Sequence, residues 1–171
     1  GLEHFLLIIN PPQELNLKKT QEREIIFIQD ISGSMSGESI QQSKVGLEMA
    51  LRRLKSTDRF NLVFFNNGFW SYASNPVLAT PLEVQRAVKA VRNLKADGGT
   101  EMYQALNFSL DNFSETRGVL KQLIFLTDGG VQNENTLFTL ISKKLKNTRL
   151  FTIGIGSAPN SYFMSRAAEL G

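Results

Sequence analysis

The sequence predicts an α/β domain built on a doubly wound, mostly parallel β-sheet with helices on both faces. Two observations lead to this fold class. Short apolar runs rich in branched and aromatic residues, such as 25–28 and 123–126, alternate with segments whose apolar residues recur at helical spacing. The composition is that of an ordinary globular domain, with 42% hydrophobic and 20% charged residues in a chain of 171. Strands that alternate with helices form parallel sheets with right-handed crossovers.

The strands are predicted at residues 25–29, 60–65, 69–72, 122–127 and 150–155. The dipeptide Asn67-Gly68 is typical of a tight hairpin because both residues tolerate positive φ. The third strand is therefore expected to be an antiparallel edge strand, and the predicted strand order is 3-2-1-4-5. The edge beside 150–155 is expected to be open, and the apolar segment 5–9 is expected to pair there or with the same edge of a neighbouring molecule.

The helices are predicted from capping residues and apolar spacing. Thr80 is expected to cap a helix that has Pro81 at its first position and Glu83 closing a capping box. The residues expected on the buried helix faces are Leu47, Ala50, Leu51 and Leu54; Val84, Ala87, Val88 and Val91; Met102, Ala105, Leu106, Leu110 and Phe113; Leu137, Leu140, Ile141 and Leu145; and Phe163, Ala167 and Leu170.

Composition narrows the chemistry that this chain can perform. It has no cysteine and a single histidine, His4, which argues against thiolate sites, His-based zinc sites and a Ser-His-Asp triad. A net charge of +3 is too mild to indicate nucleic-acid binding. No apolar run approaches the roughly 20 residues of a membrane-spanning helix. Carboxylates, hydroxyls and the backbone remain as candidate functional groups.

Three polar segments follow predicted strands or open a predicted helix. They are D-x-S-x-S at 30–34, G-G-T at 98–100 and T-D-G at 127–129. Each alone could be a turn or a helix cap. Ligands of doubly wound sheets bind beyond the carboxyl ends of the strands, so these segments are expected to meet there. Carboxylate and hydroxyl oxygens suit Mg²⁺ or Mn²⁺. The candidate metal ligands are Asp30, Ser32, Ser34, Thr100 and Asp128.

In this order and spacing, the three segments resemble the metal-ion-dependent adhesion site of von Willebrand factor type A domains. The resemblance covers residues 24–171. Segments 58–66, 96–100 and 154–160 are similar to those of the inter-alpha-trypsin inhibitor heavy chains and their bacterial surface relatives. Residues 1–23 are interpreted as a strand and linker from a preceding domain, because those proteins have a similar proline-containing link.

The resemblance implies a role for each candidate ligand. Ser32 and Ser34 would bind the metal directly through their hydroxyls, and Thr100 would do so in the open, high-affinity state. Asp30 and Asp128 would act mainly through water. One coordination position would be left for a Glu or Asp carboxylate of a protein partner. The resemblance also implies an extracellular or cell-surface location, and a sixth strand and final helix beyond residue 171.

The function predicted from these residues is a non-enzymatic adhesion or recognition module that uses Mg²⁺, with Mn²⁺ or Ca²⁺ as alternatives. It is expected to bind no nucleic acid and to insert no segment into a membrane. The competing hypothesis is a Mg²⁺-dependent hydrolase on a similar sheet. That activity needs a general base or nucleophile near the metal, for which the candidates are Asp30, Asp128 and Asp97.

Overall fold

The computed structural model describes residues 21–128, 130, 133–156 and 159–171. Within this part of the chain, the strands are β1 (Arg23–Asp30), β2 (Arg59–Phe65), β3 (Phe69–Ser71), β4 (Val77–Leu78), β5 (Leu120–Thr127) and β6 (Thr148–Gly154). The helices are α1 (Glu38–Arg52), α2 (Pro81–Arg92), α3 (Met102–Asp111), α4 (Glu134–Lys144) and α5 (Ser161–Glu169), with a short 3₁₀ turn at Gly33–Met35.

The sheet has the order β3-β2-β1-β5-β6, and β4 also pairs with β2. β1, β2, β5 and β6 are parallel, whereas β3 and β4 run antiparallel to β2. The predicted fold class and strand order are confirmed once the short β4 is counted. Sequence reasoning missed β4 because a pair of residues is too short to show an alternating pattern.

Both faces of the sheet are covered by helices, so the central strands are apolar on both sides. In β1, Ile26 and Ile28 pack with α3, α4 and α5, whereas Ile25 and Phe27 pack with α1 and α2. This two-sided burial is the physical reason for the continuous apolar runs in the sequence. It also leaves the ends of the strands as the places where polar groups can gather.

The helix start predicted at Thr80 is confirmed in part. The Thr80 hydroxyl accepts a hydrogen bond from the Glu83 N–H at 3.2 Å, as a capping residue should. The second half of the capping box is wrong, because the Thr80 N–H donates to the Leu78 carbonyl at 2.8 Å. The Glu83 carboxylate instead accepts from the Tyr72 hydroxyl at 2.7 Å. A contact with a neighbouring strand has replaced the local one.

The β2–β3 hairpin is also confirmed as an edge feature, but its turn differs from the expected one. Phe65 pairs with Phe69, so the loop consists of residues 66–68. Neither Asn67 nor Gly68 has a positive φ, in contrast to the turn that the Asn-Gly dipeptide predicts. The Asn66 N–H donates to the Gly68 carbonyl at 2.9 Å and closes the loop.

Strand β6 lies at the other edge of the described sheet. Leu150 is buried against the α5 side, whereas Phe151 and Ile153 are 42% and 44% exposed. The segment 5–9, expected to cover this edge, lies outside the described residues, as do residues 1–20 of the predicted N-terminal unit. In the described part of the chain, no helix is both long enough and apolar enough to cross a membrane.

Candidate metal site

The candidate site lies at the carboxyl ends of the adjacent parallel strands β1 and β5. Gln29 pairs with Leu126, so Asp30 and Thr127 leave the two strands side by side. On the other side of β1, Asp30 pairs with Phe65 at the end of β2. This register brings the loops after β1, β2 and β5 to one edge of the sheet, as expected for a doubly wound fold.

Asp30 is completely buried, and both of its carboxylate oxygens accept hydrogen bonds. Oδ1 accepts from the Ser32 N–H at 2.8 Å, and Oδ2 accepts from the Thr127 hydroxyl at 2.6 Å. Burial raises the pKa of Asp30 above its ordinary value, and repulsion from Asp128 acts in the same direction. These hydrogen bonds oppose that rise but do not cancel it. The buried negative charge therefore favours a nearby cation.

Ser32 and Ser34 present their hydroxyls next to each other, with the two Oγ atoms 3.0 Å apart. Both lie in the 3₁₀ turn region, which is anchored because Met35 is fully buried in the protein. Gly33, between the serines, allows this turn to touch the loop before α3. Its N–H donates to the Gly98 carbonyl at 2.9 Å, and a Cβ at position 33 would lie 3.1 Å from the same oxygen.

Asp128 follows β5 and faces the serine loop. Its Oδ1 accepts from the Gly130 N–H at 3.0 Å, and its carbonyl accepts from the Asn160 N–H at 3.0 Å. A Cβ on Gly130 would lie 3.3 Å from the Asp128 Oδ1 and 4.0 Å from the Ser34 Oγ. The Asp128 carboxylate and the Ser34 hydroxyl therefore border the same small space.

Thr100 lies in the loop before α3 and is half-buried. This loop is attached to the serine loop through its backbone, because the Asp97 N–H donates to the Ile31 carbonyl at 3.0 Å and Gly98 accepts from Gly33. The structure thus gathers Asp30, Ser32, Ser34 and Asp128 directly. It places Thr100 in an adjoining loop.

Sequence reasoning missed three residues that shape the site. Thr127 was noted only as part of a motif, although its hydroxyl binds Asp30. The sequence predicts a hairpin role for Asn67 and no individual role for Asn66, yet both bind the loop that carries Thr100. The Thr-Asp pair after a strand was an available signal for Thr127. No local pattern could have revealed the two asparagines, because their partners lie more than 30 residues away.

The donor set fits a hard divalent cation. Its side-chain atoms are carboxylate and hydroxyl oxygens, which suit Mg²⁺, Mn²⁺ and Ca²⁺. Among the described residues, no group of three or more His, Cys, Asp or Glu side chains could hold a metal. Any cation bound here would therefore depend on the hydroxyls of Ser32, Ser34 and Thr100 as well as on the two aspartates.

The fold and the site define a class: doubly wound α/β domains with an oxygen-rich, hydroxyl-containing loop site at the carboxyl ends of the central strands. The model of the von Willebrand factor type A domain family matches residues 23–171, so the chain belongs to that family. Such domains typically bind a divalent metal ion and act in protein interaction.

Individual relatives agree with this assignment. The chain is 35% identical over 138 residues to a von Willebrand factor A domain-containing protein of Dictyostelium discoideum, covering 80% of the chain and 15% of that protein. It is 29% identical over 161 residues to inter-alpha-trypsin inhibitor heavy chain 4 of Mus musculus, covering 87% and 17%. The chain thus spans less than a fifth of these curated relatives.

Solved structures agree on the fold. A von Willebrand factor type A protein from Catenulispora acidiphila superposes with a TM-score of 0.79 at 25% identity, covering 88% of this chain and 37% of that one. The manganese-loaded TRAP protein of Plasmodium vivax superposes with a TM-score of 0.70 at 21% identity, covering 87% and 63%. The second likeness, at this identity, concerns the fold alone.

Proposed function

We propose that this chain is a divalent-cation-dependent adhesion or protein-recognition module that binds an acidic residue of its partner through a metal. The metal is Mg²⁺, with Mn²⁺ and Ca²⁺ as the alternatives that the same oxygen donors accept. The residues that would hold it are Asp30, Ser32, Ser34, Thr100 and Asp128. The module acts outside the cell or at the cell surface.

The observation that carries the proposal is how the buried charge is arranged. Asp30 is completely buried, and its two oxygens already accept hydrogen bonds from Ser32 and Thr127. This favours a role for Asp30 in orienting the serine loop and supplying negative charge from behind it. The Ser32 and Ser34 hydroxyls, 3.0 Å apart, would then be the direct ligands.

The charge of the ligands determines how strongly a bound cation would attract a further anionic group. A cation held by hydroxyls keeps most of its positive charge and attracts an anionic oxygen from outside the domain. A Glu or Asp side chain of a protein partner supplies such an oxygen. Desolvation of that one carboxylate at the centre of an interface would make it the dominant contact, as in other binding hot spots.

The competing hydrolase hypothesis needs a free base or nucleophile at the same place. Asp30 is poorly suited because it is buried and both oxygens are engaged. The Asp97 Oδ1 accepts a hydrogen bond from the Asn66 amide at 2.9 Å, which ties it to the hairpin. Asp128 remains, but its Oδ1 accepts from the Gly130 N–H. These contacts support recognition over hydrolysis.

The decisive experiment is a calorimetric titration of the EDTA-treated protein with Mg²⁺ and Mn²⁺. Wild-type protein should bind one equivalent, and Ser34→Ala should bind at least tenfold more weakly because a direct ligand is lost. Ser36→Ala is the matched control, since this neighbouring serine is also exposed and its hydroxyl contacts the Ala96 carbonyl at 3.4 Å. Equal metal binding by wild type and Ser34→Ala would refute the assigned site.

A further inference from the structure

The loop that carries Thr100 is held on both sides of Thr100 by the β2–β3 hairpin. The Gly99 N–H donates to the Asn67 Oδ1 at 2.7 Å. The Glu101 N–H donates to the Asn66 carbonyl at 2.6 Å. The residues immediately before and after Thr100 are therefore both tied to one hairpin loop.

The loop needs such support because its own sequence provides little stiffness. Gly98 and Gly99 precede Thr100, and glycine has more conformational freedom than any other residue. Gly98 has a φ of +74°, which disfavours other residues. The helix that follows, α3, has no side-chain cap at Glu101. External contacts are therefore needed to fix where Thr100 stands.

The Asn67 side chain lies directly against the two glycines. A Cβ on Gly98 would lie 2.7 Å from the Asn67 Nδ2, and a Cβ on Gly99 would lie 2.8 Å from its Oδ1. Both glycines are thus required for this close approach, and Gly98 is required for the backbone conformation as well. The serine loop also contacts Gly98, because the Gly33 N–H donates to the Gly98 carbonyl at 2.9 Å.

The hairpin itself is fixed to the rest of the domain, so it can serve as a support. Its second strand, β3, pairs with β2 from Val63 to Phe65. Phe69 packs on Phe108 of α3, with the ring centroids 5.3 Å apart. The hairpin therefore connects the body of α3 with the loop that precedes the same helix.

We propose that Asn67 is a positioning residue that holds the Thr100 loop in place through its hydrogen bond to Gly99 and thereby raises the affinity of the site for its metal. Asn67 does not bind the metal itself; it acts through Thr100. The expected effect of Asn67 on metal affinity rests on the proposed function. The expected effect of Asn67 on the loop rests on the hydrogen bonds alone.

The first test measures the loop without metal. In EDTA, amide hydrogen exchange followed by NMR should be faster at Gly99 in Asn67→Ala than in wild type. Asn66→Ala is the matched control from the same loop, since it removes the side-chain contact with Asp97 but keeps the backbone carbonyl that binds Glu101. Gly99 exchange in this control should stay near the wild-type rate. Unchanged Gly99 exchange in Asn67→Ala would overturn the positioning role.

The second test measures Mn²⁺ affinity by calorimetry on the same 171-residue chain. Loss of one exposed hydrogen bond predicts an affinity about two- to tenfold weaker in Asn67→Ala. Asn66→Ala should remain near wild type. Asn67→Asp retains an acceptor oxygen and should bind at least as tightly as wild type. An affinity loss in Asn67→Asp equal to that in Asn67→Ala would show that the hydrogen bond is not the cause.

A double variant shows whether Asn67 acts through Thr100. Adding Asn67→Ala to Thr100→Ala should weaken Mn²⁺ binding no further, because the ligand that Asn67 positions is already gone. Full additivity would contradict this mechanism. Wild-type protein that binds no Mn²⁺ would refute the proposed function and the affinity effect together. Equal Mn²⁺ affinity in wild type and Asn67→Ala would refute the effect of Asn67 on metal affinity but would leave the proposed function standing.

Discussion

Two buried carboxylates lie near opposite ends of the central strand β1, and their surroundings differ: Asp58 has a cationic partner and Asp30 has none among the described residues. At the amino end, Asp58 is 1% exposed, and its carboxylate accepts hydrogen bonds from the Arg23 guanidinium at 3.0 and 2.5 Å. The Lys55 N–H adds a third bond at 2.8 Å. At the carboxyl end, Asp30 is 0% exposed and forms no ion pair with any described cationic side chain.

The electrostatic consequences also differ. The hydrogen bond to the Asp58 carboxylate raises the pKa of Arg23, so this carboxylate stabilises the charge of the guanidinium. Burial raises the pKa of Asp30, and Asp128 adds repulsion instead of compensation. A buried carboxylate with its cation supplied from within the chain has a structural role. Asp30 has neutral donors and a second carboxylate, Asp128, beside it, and this accumulation of negative charge is suited to an external cation.

The largest expected effect comes from breaking the compensated end. Asp58→Ala removes the partner of Arg23, whose side chain is 32% exposed, and leaves the Lys55 N–H without its acceptor. Because Arg23 retains some contact with water, we expect a loss of about 2–3 kcal/mol, below the full cost of splitting a buried pair. Urea unfolding measures it. The loss should be equal in EDTA and in Mg²⁺, and a strong metal dependence would contradict the structural role.

The second effect concerns the uncompensated end. Mg²⁺ at ten times its Kd should stabilise the wild-type protein by about 1.4 kcal/mol, because it binds the folded state alone. For a domain of this size the corresponding rise in Tm is about 3–6 °C. Asp30→Asn should abolish that rise and yet, in EDTA, be no less stable than wild type, because it removes an unpaired buried charge. Differential scanning fluorimetry with and without Mg²⁺ distinguishes the two carboxylates.

A smaller effect on stability, but a large one on binding, is expected from Thr100→Ala. Thr100 is a half-buried loop residue, so the unfolding free energy in EDTA should change by less than about 1 kcal/mol. EDTA should abolish the binding of an acidic protein partner to the wild-type protein, and Mn²⁺ should restore it. The Thr100→Ala variant should not bind the partner. Partner binding that survives both EDTA and Thr100→Ala would overturn the metal-bridged mechanism.

The smallest effect is expected from a partly exposed surface carboxylate, Glu48, that has cationic partners. Glu48 accepts hydrogen bonds from Arg92 and Arg52, which lower its pKa to about 2. Because the folded-state pKa is depressed, its contribution is present above the ordinary glutamate pKa and is lost as pH falls towards 2. NMR titration of the side chain should show this midpoint. Salt should weaken this contribution more than that of the partly buried pair between Arg23 and Asp58.

Local sequence patterns were sufficient to predict the alternation of strands and helices, the strand order and the convergence of three polar loops at one edge of the sheet. Each of these follows from local patterns together with a general rule. Apolar periodicity sets the elements, and strands joined by helices run parallel, which places their carboxyl ends at one edge of the sheet. The candidate ligands could be chosen from sequence for the same reason, since each stands next to the end of a strand or the start of a helix.

The partner of each polar side chain depends instead on how the folded chain packs. Asp58 meets Arg23, Glu83 meets Tyr72, and Asn67 meets Gly99. Local pattern predicted a capping box for Glu83 and a positive-φ turn for Asn67, and both predictions failed. Such partners are far apart in sequence and are set by the register of neighbouring strands and the packing of loops. A polar side chain takes the best acceptor or donor that this packing offers, and only the folded chain fixes which one that is.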